Sequence, residues 1–575
     1  MNMRRGNAGL WRALFFILFS LPSLAQTSAP QKAAEPSLRS IKGRVVSSDG
    51  QPVSSINVSA VAMGKRPEAR EMRGGLFSQT TTDEHGNFQF DGLQPAAYAI
   101  SASSPGYVTL PPQGESSPNV YRLGDVAQIT LVKGGVITGK VTAGDDEALT
   151  AIEVSAMRIG SVDGELDLFP GTSGAGVGFG RSFRTDDRGV YRLYGLAPGA
   201  YIVRASAPRS GGGPSNSSQE APTYHPSATR DTAVVIPVRA GDEVSGIDIR
   251  YRGERGRSIS GKVIARAGDG DRSGAQILLA TAGGGTVAST FQSLGRAEFE
   301  RGGPQGRGPG GGGGFAFYGI PDGEYEISAR TTGSRGESDA ASMPRKITVR
   351  GADVSGIELT LNPLASIAGK LVIEKGAGVA VCPVPRAYVM DEILVGTKRD
   401  GTEKWSRDEA PEMNGEFTFS GIDAGTYRLR VRFPGENWYL KSLQMPSASA
   451  TSNVAKAGIV VKNGQRVTGL SAVVADGAAS LAGQLMRSGE EKLTDQRKVF
   501  LFPAETEAAE NSLRFHQITT NNDGSFSLRN IAPGKYFLIS KPVSKEATRA
   551  EAQNFGQSIE LGPCQRVAAF KMMGN

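Results

Sequence analysis

The chemistry available to this chain is limited by its side chains. Three histidines serve 575 residues: His85, His225 and His516. They lie more than a hundred residues apart, and no His-x-x-Glu or His-Glu-x-x-His occurs. The ligand pattern of a zinc peptidase is therefore missing. A Ser-His-Asp triad would have to be assembled across distant segments. Carboxylates and their amides gather at Asp83, Asp186, Asp187, Asn522 and Asp523. Loop carboxylates suit hard cations, but these runs lack the ligand density of a calcium loop. Asx side chains folding back on their own turn backbone account for them more simply. No catalytic, cofactor-binding or metal-ligating residue is expected.

Other residues invite a binding role. Beyond Trp11, the tryptophans are Trp405 and Trp438, with Tyr439 following the second. Trp438-Tyr439 reads as part of the loop that begins Phe433-Pro434-Gly435. Loop aromatics can stack on sugar rings or anchor a protein partner, so Trp405, Trp438 and Tyr439 are the candidate ligand-binding residues. Lys140, Lys262 and Lys370 recur at one position. A lysine there could bond covalently to an asparagine of a last strand, with Asn362 the one candidate, but exposed strand lysines explain the recurrence better. The two cysteines, Cys382 and Cys564, are too few for a disulfide scaffold. One bridge and two buried thiols both remain open. Arg301 to Pro309 and Gly211 to Ser218 read as loops rather than nucleic-acid contacts, since no aromatic residues interleave.

The first 25 residues read as an export signal. Arg4, Arg5 and Arg12 are basic, Leu14 to Phe19 is apolar, and Ser23-Leu24-Ala25 offers a cleavage site. The apolar run is shorter than the roughly 20 residues a spanning helix needs, and no later segment reads as spanning. Formal charge is +7 overall and falls to about +4 once those three arginines leave. That is mild, and export argues against a nucleic-acid partner.

These residues hang on a frame written five times. Its openings are Ile41-x-Gly43, Ile137-x-Gly139, Ile259-x-Gly261, Ile367-x-Gly369 and Leu481-x-Gly483. Its closings end at Tyr98, Tyr201, Tyr325, Tyr427 and Tyr536, which follow the opening glycines by 55, 62, 64, 58 and 53 residues. A constant frame with variable interiors marks tandem small domains. Within each, short alternating strands are separated by turn signals, as in a β-sandwich. No stretch has helical periodicity. Pairs such as Ile236-x-Val238, Gly241, Val244-x-x-Ile247 read as closing hairpins. The expected organisation is all-β: signal 1–25, linker 26–39, and sandwiches at 40–133, 134–255, 256–363, 364–477 and 478–575, in an elongated array joined by short linkers.

The frame resembles the carboxypeptidase regulatory-like domain, a transthyretin-like sandwich. The likeness rests on the opening x-x-Gly-x-Val, on Thr185 to Tyr191 and Thr520 to Phe526 as Thr-x-x-(Asp/Asn)-Gly-x-(Phe/Tyr) turns, and on Leu196 to Tyr201 and Ile531 to Tyr536 as Leu-x-Pro-Gly-x-Tyr closings. In the first repeat Ala96 replaces that glycine, and the third and fourth lack the Pro-Gly pair. The resemblance implies a non-catalytic sandwich. It also implies a link to carbohydrate-binding-like folds and to domains that accompany a zinc carboxypeptidase. The expectation is therefore an exported binding or adhesion scaffold, without cofactor, in the periplasm, at the cell surface or outside the cell. The alternatives are a carbohydrate binder using the fourth repeat's aromatics and a metallocarboxypeptidase-associated protein with no activity of its own. Another envelope protein is the other candidate partner.

Overall fold

The computed structural model describes residues 40–574 apart from 65–75, 110–119, 163–164, 171–182, 208–218, 265–273, 282–284, 295–313, 333–338, 375–381, 383–389, 403–406, 434, 446–453, 488–492, 494–495, 506–511 and 522. The export signal, the linker, Trp405, Asn522 and the two glycine-rich stretches lie outside the described residues.

The first repeat shows the plan. Its strands are β1 (Ile41–Ser47), β2 (Asn57–Ala62), β3 (Phe77–Thr81), β4 (Asn87–Phe90), β5 (Tyr98–Ser103), β6 (Tyr107–Thr109), β7 (Val120–Tyr121) and β8 (Val126–Lys133). They form two sheets, ordered β4-β1-β8-β6 and β3-β2-β5-β7. The inward residues of both, among them Ile41, Val58, Phe90, Tyr98 and Leu131, make one buried core. The alternating pattern places them there, because period two puts every second side chain on one face. Four further clusters repeat this, each within its own repeat. In the third repeat Ala340–Ser342 pairs with a strand of each sheet and joins them into one eight-stranded sheet.

The first and last strands of a repeat pair in parallel, as β1 does with β8. The opening glycine makes this possible. A Cβ on Gly43 would lie 2.2 Å from the Phe88 ring and 2.4 Å from Ala127 O; on Gly139 it would lie 2.1 Å from Ile247 O. The aromatic that follows the central turn and the backbone of the last strand share the space a side chain would need.

The central turns at Asp83 and Asp186 are sheet-to-sheet corners. β3 pairs with β2 and β4 with β1, so the turn at Asp83 to Gly86 carries the chain from one sheet to the other. Asp83 Oδ1 accepts from the N–H groups of His85 at 2.9 Å and Asn87 at 2.7 Å. Asp186 makes the same bonds to Arg188 and Val190, at 3.0 and 2.7 Å. These backbone donors hold both carboxyls below their ordinary range. Thr82 Oγ1, buried beside the turn, donates to Val53 O at 2.8 Å and accepts from Ile56 N at 3.0 Å. The expected closing hairpins are corners too. Ile236–Val238 pairs with Gly199–Ser206, while Glu243–Val244 pairs with the opening strand of the other sheet.

Each closing tyrosine donates its hydroxyl to the carbonyl four residues back. The distances are 2.8 Å for Tyr98, 2.6 Å for Tyr201, 2.8 Å for Tyr325, 2.7 Å for Tyr427 and 2.6 Å for Tyr536. The ring fills the core and the hydroxyl closes the loop before its strand, as a tyrosine corner does.

The longest helix among the described residues escaped the sequence reading. Residues Arg549–Phe555 form a helix opened by a capping box between Thr548 and Glu551. The Thr-x-x-Glu signature was available as a start signal.

Two outcomes follow. Gly139→Ala forces a Cβ into backbone and should cost about 1–3 kcal/mol of second-repeat stability. Gly144→Ala, with nothing within 4 Å of the added carbon, should cost less than about 0.5 kcal/mol; thermal melts compare them. Burial also keeps the closing hydroxyls protonated and raises Tyr98 to about 12. An unfolded tyrosine titrates near 10, so this contribution is complete below about pH 10 and is lost as pH rises toward about 12. Melting temperature should fall across that window, less steeply in Tyr98→Phe.

Candidate functional site

At three of the four joints the strands run almost unbroken from one sandwich to the next. Val126–Lys133 and Gly135–Thr142 are separated by Gly134 alone, and Val354–Pro363 and Ala365–Glu374 by Leu364 alone. Each joint is then tied by the loop that follows the closing-tyrosine strand. Between the first and second repeats, Gly134 N donates to Gly106 O at 3.0 Å. Between the second and third, Gly256 N donates to Gln219 O at 2.8 Å. Between the third and fourth, Leu364 N donates to Asp339 O at 2.8 Å, and Arg330 of the tyrosine strand itself reaches Asp423 at 2.5 Å.

The joint between the fourth and fifth repeats carries the densest set of contacts. Asn437 is buried there. Its carbonyl accepts from Gly477 N and Ala478 N, both at 2.9 Å; the second bond matches Gly134 to Gly106. Its side-chain oxygen accepts from Arg566 Nη2 at 2.7 Å. Glu436 pairs with Arg529 at 3.2 Å and also with Arg566. Asn530 Nδ2 donates to Gly435 O at 2.7 Å and to Trp438 O at 2.8 Å. Asn530 has φ +57°, and glycines hold the matching places in the other repeats, Gly195 at φ +70° among them. Asparagine tolerates this left-handed conformation better than most residues and here adds two bonds that glycine cannot. Leu513 of the fifth repeat packs against the fourth core. Cys382 and Cys564 form a disulfide with Cα atoms 5.5 Å apart, which resolves the open question about these thiols. Its loop spans 182 residues, so in the chain-entropy model it stabilises by about 5 kcal/mol.

This joint takes up two of the three aromatic candidates. Trp438 does not sit in a loop: it starts the strand Trp438–Gln444, paired with Arg466–Asp476, and packs against the fourth core. Asp476 faces it in the pairing, and Asn437 ends the loop one residue earlier. Tyr439 is half-buried, and burial raises its hydroxyl above the ordinary value.

The other candidates scatter. His85 accepts through its carbonyl from the Arg44 guanidinium at 3.0 Å. His225 Nδ1 lies 2.6 Å from Asp248 O. His516 is held neutral by burial, which lowers it to about 4, and its Nε2 has no hydrogen-bond partner among the described residues. Among the described residues no three His, Cys, Asp or Glu side chains could hold a metal ion. Lys262 Nζ pairs with Glu358 Oε1 at 2.8 Å, both well exposed, and Asn362 Nδ2 donates to Thr360 O at 3.4 Å. The first repeat also touches the fourth. Gly64 O accepts from Ala410 N at 3.1 Å, and Arg122 lies 3.9 Å from Glu392, whose side chain is 1% exposed. Nothing in the sequence signals this contact.

With this geometry in place, the first repeat can be compared with known families. The family model for the carboxypeptidase regulatory-like domain matches residues 40–115. The first repeat is a carboxypeptidase regulatory-like domain. The later repeats carry the same glycine seat and tyrosine corner as that domain. No curated protein matches the chain. Among solved structures, the Bacillus anthracis TIE protein aligns at 12% identity over 56% of this chain and 50% of its own, with TM-score 0.14. The minor pilin GBS52 of Streptococcus agalactiae aligns at 12% identity over 38% of this chain and 98% of its own, with TM-score 0.20. The shaft pilin SpaA of Lactobacillus rhamnosus GG aligns at 13% identity over 37% and 97%, with TM-score 0.16. The chain thus spans half the length of the TIE protein, and likenesses this weak decide nothing about its role.

Asn530→Gly keeps the backbone conformation and removes both side-chain bonds, whereas Asn530→Ala adds left-handed strain. We expect losses at the joint of about 1–2 kcal/mol for the first and about 1 kcal/mol more for the second. Calorimetry reads this as the fourth and fifth repeats ceasing to melt together, most clearly after reduction of Cys382–Cys564.

Proposed function

We propose that this chain is an exported, non-catalytic binding and adhesion scaffold that presents five carboxypeptidase regulatory-like sandwiches in fixed mutual orientation. The proposed domains are 40–133, 134–255, 256–363, 364–477 and 478–575, after a signal at 1–25 and a linker at 26–39. Its place is the periplasm, the cell surface or the extracellular space. The observation that carries the reading is the fourth–fifth joint. A buried asparagine, a doubly bonded Asn530, two ion pairs and a disulfide hold two sandwiches to one another rather than shaping a cleft. A bridged cysteine pair also fits an oxidising compartment. Specificity then belongs to loops at the sandwich ends, as on other rigid scaffolds.

Sugar binding through Trp405, Trp438 and Tyr439 is the competing reading. Trp438 tells against it, because its ring packs on the fourth core and its carbonyl binds Asn530. A peptidase would need a ligand set that the sequence does not contain.

The test uses the mature chain and its Trp438→Ala variant, checked for an unchanged fold, on a glycan array and against the native envelope fraction. The scaffold reading expects an envelope protein captured by both forms and no glycan retained. Glycan binding by the wild type that disappears in Trp438→Ala would overturn it.

A further inference from the structure

Two residues on the outside of the fourth sandwich are dry where a lone sandwich would wet them. In the strand Leu394–Arg399, Val395 belongs to the fourth core, as does Ile393 just before it. The two-residue period of a strand therefore turns Leu394 to the outer face, where it stands opposite Arg432. Leu394 is nevertheless 0% exposed. Glu392, two residues earlier, has a side chain that is 1% exposed. A charged group this buried is kept only where something faces it.

What meets both residues is the first repeat. The three atoms nearest to where a Cβ on Gly64 would stand all belong to the fourth repeat: Ala410 N at 2.3 Å, Glu409 C at 2.8 Å and Leu394 Cδ2 at 2.8 Å. Gly64 O accepts from Ala410 N at 3.1 Å, so two backbones touch where a side chain would hold them apart. Beside this seat, Arg122 lies 3.9 Å from Glu392. Asp125 steadies that arginine from within the first repeat, accepting from its backbone N–H at 2.9 Å and from its guanidinium at 3.4 Å. Arg122 Nη2 also lies 3.6 Å from where a Cβ on Gly435 would stand. Gly435 O is bonded to Asn530, so one loop of the fourth repeat meets the first repeat as well as the fifth.

We propose that this contact is a clasp: the first repeat seats on the outer face of the fourth in the same chain and so restrains the three joints between them. Both cysteines are bound at the fourth–fifth joint, so no disulfide holds those three. Small contacts between neighbouring domains leave relative motion as the default. A bend at any of the three joints lifts the first repeat from its seat, so the seat acts on all of them together. Leu394 supplies its apolar centre, and the Arg122–Glu392 pair fixes its orientation. The clasp is independent of what the scaffold binds.

The experiment is pulsed dipolar spectroscopy on the mature full-length chain, with spin labels at the exposed positions Thr130→Cys and Lys370→Cys and Cys382–Cys564 intact. The otherwise unaltered chain should give one narrow distance distribution. Gly64→Leu drives a side chain into the backbone of Ala410 and should abolish the narrow distribution. Gly92 has φ +70° against +69° at Gly64, with nothing within 4 Å of an added Cβ. Gly92→Leu therefore brings the same left-handed strain without the collision and should leave the distribution narrow; circular dichroism checks that both variants fold. Arg122→Glu, which sets a carboxylate against Glu392, should broaden it too. A broad distribution in the otherwise unaltered chain overturns the proposal, and so does a narrow one that survives both Gly64→Leu and Arg122→Glu. A narrow distribution found only in a dimer by sedimentation equilibrium also overturns it, because the first repeat would then sit on the fourth of a second copy.

Discussion

Each sandwich depends on one close approach: the opening glycine lets the last strand and an aromatic ring meet over the first strand. A Cβ on Gly483 would lie 2.4 Å from Phe570 O and 2.7 Å from the Phe526 ring. Without that space the parallel pairing of first and last strands could not close, and the closing tyrosine would lose the core it plugs. The same pairing dictates the joints. Because the last strand of one repeat runs alongside its first, the chain leaves at the end where the next repeat begins. One or two residues then suffice to connect the first to the second, the third to the fourth and the fourth to the fifth.

The sequence made the sandwiches legible because their signals are local. Period-two alternation, the turn glycines and the tyrosines each report on a few neighbouring residues. It misread the closing corners for the same reason. Arg239 to Asp242 bends the chain identically whether Ile236–Val238 and Glu243–Val244 pair with each other or with strands of two different sheets. Nothing nearby says which. The helix Arg549–Phe555 was missed although Thr548 and Glu551 announce it, since seven residues are too few for a periodic stripe to stand out.

The candidate site was legible only in part. The tryptophans drew attention to the fourth repeat, and Trp438 directly follows the loop residues Glu436 and Asn437 that make the joint. Yet the contacts that define the joint link residues 92 to 130 apart, such as Asn530 to Trp438 and Arg566 to Glu436, and no local pattern reports on such distances. The asparagine at 530, where other repeats place glycine, was the one available hint. The groups that looked chemical serve the fold instead. Asp83 and Asp186 close corners, and Trp438 packs on a core.

The account rests on the fourth and fifth sandwiches being held in one orientation. The most direct measurement is the distance distribution between spin labels at Lys370→Cys and Lys535→Cys, read by pulsed dipolar spectroscopy with Cys382–Cys564 intact. A single narrow distribution that broadens when Asn530→Ala is combined with Cys382→Ser and Cys564→Ser is the predicted result. A broad distribution in the bridged, otherwise unaltered chain would contradict the account.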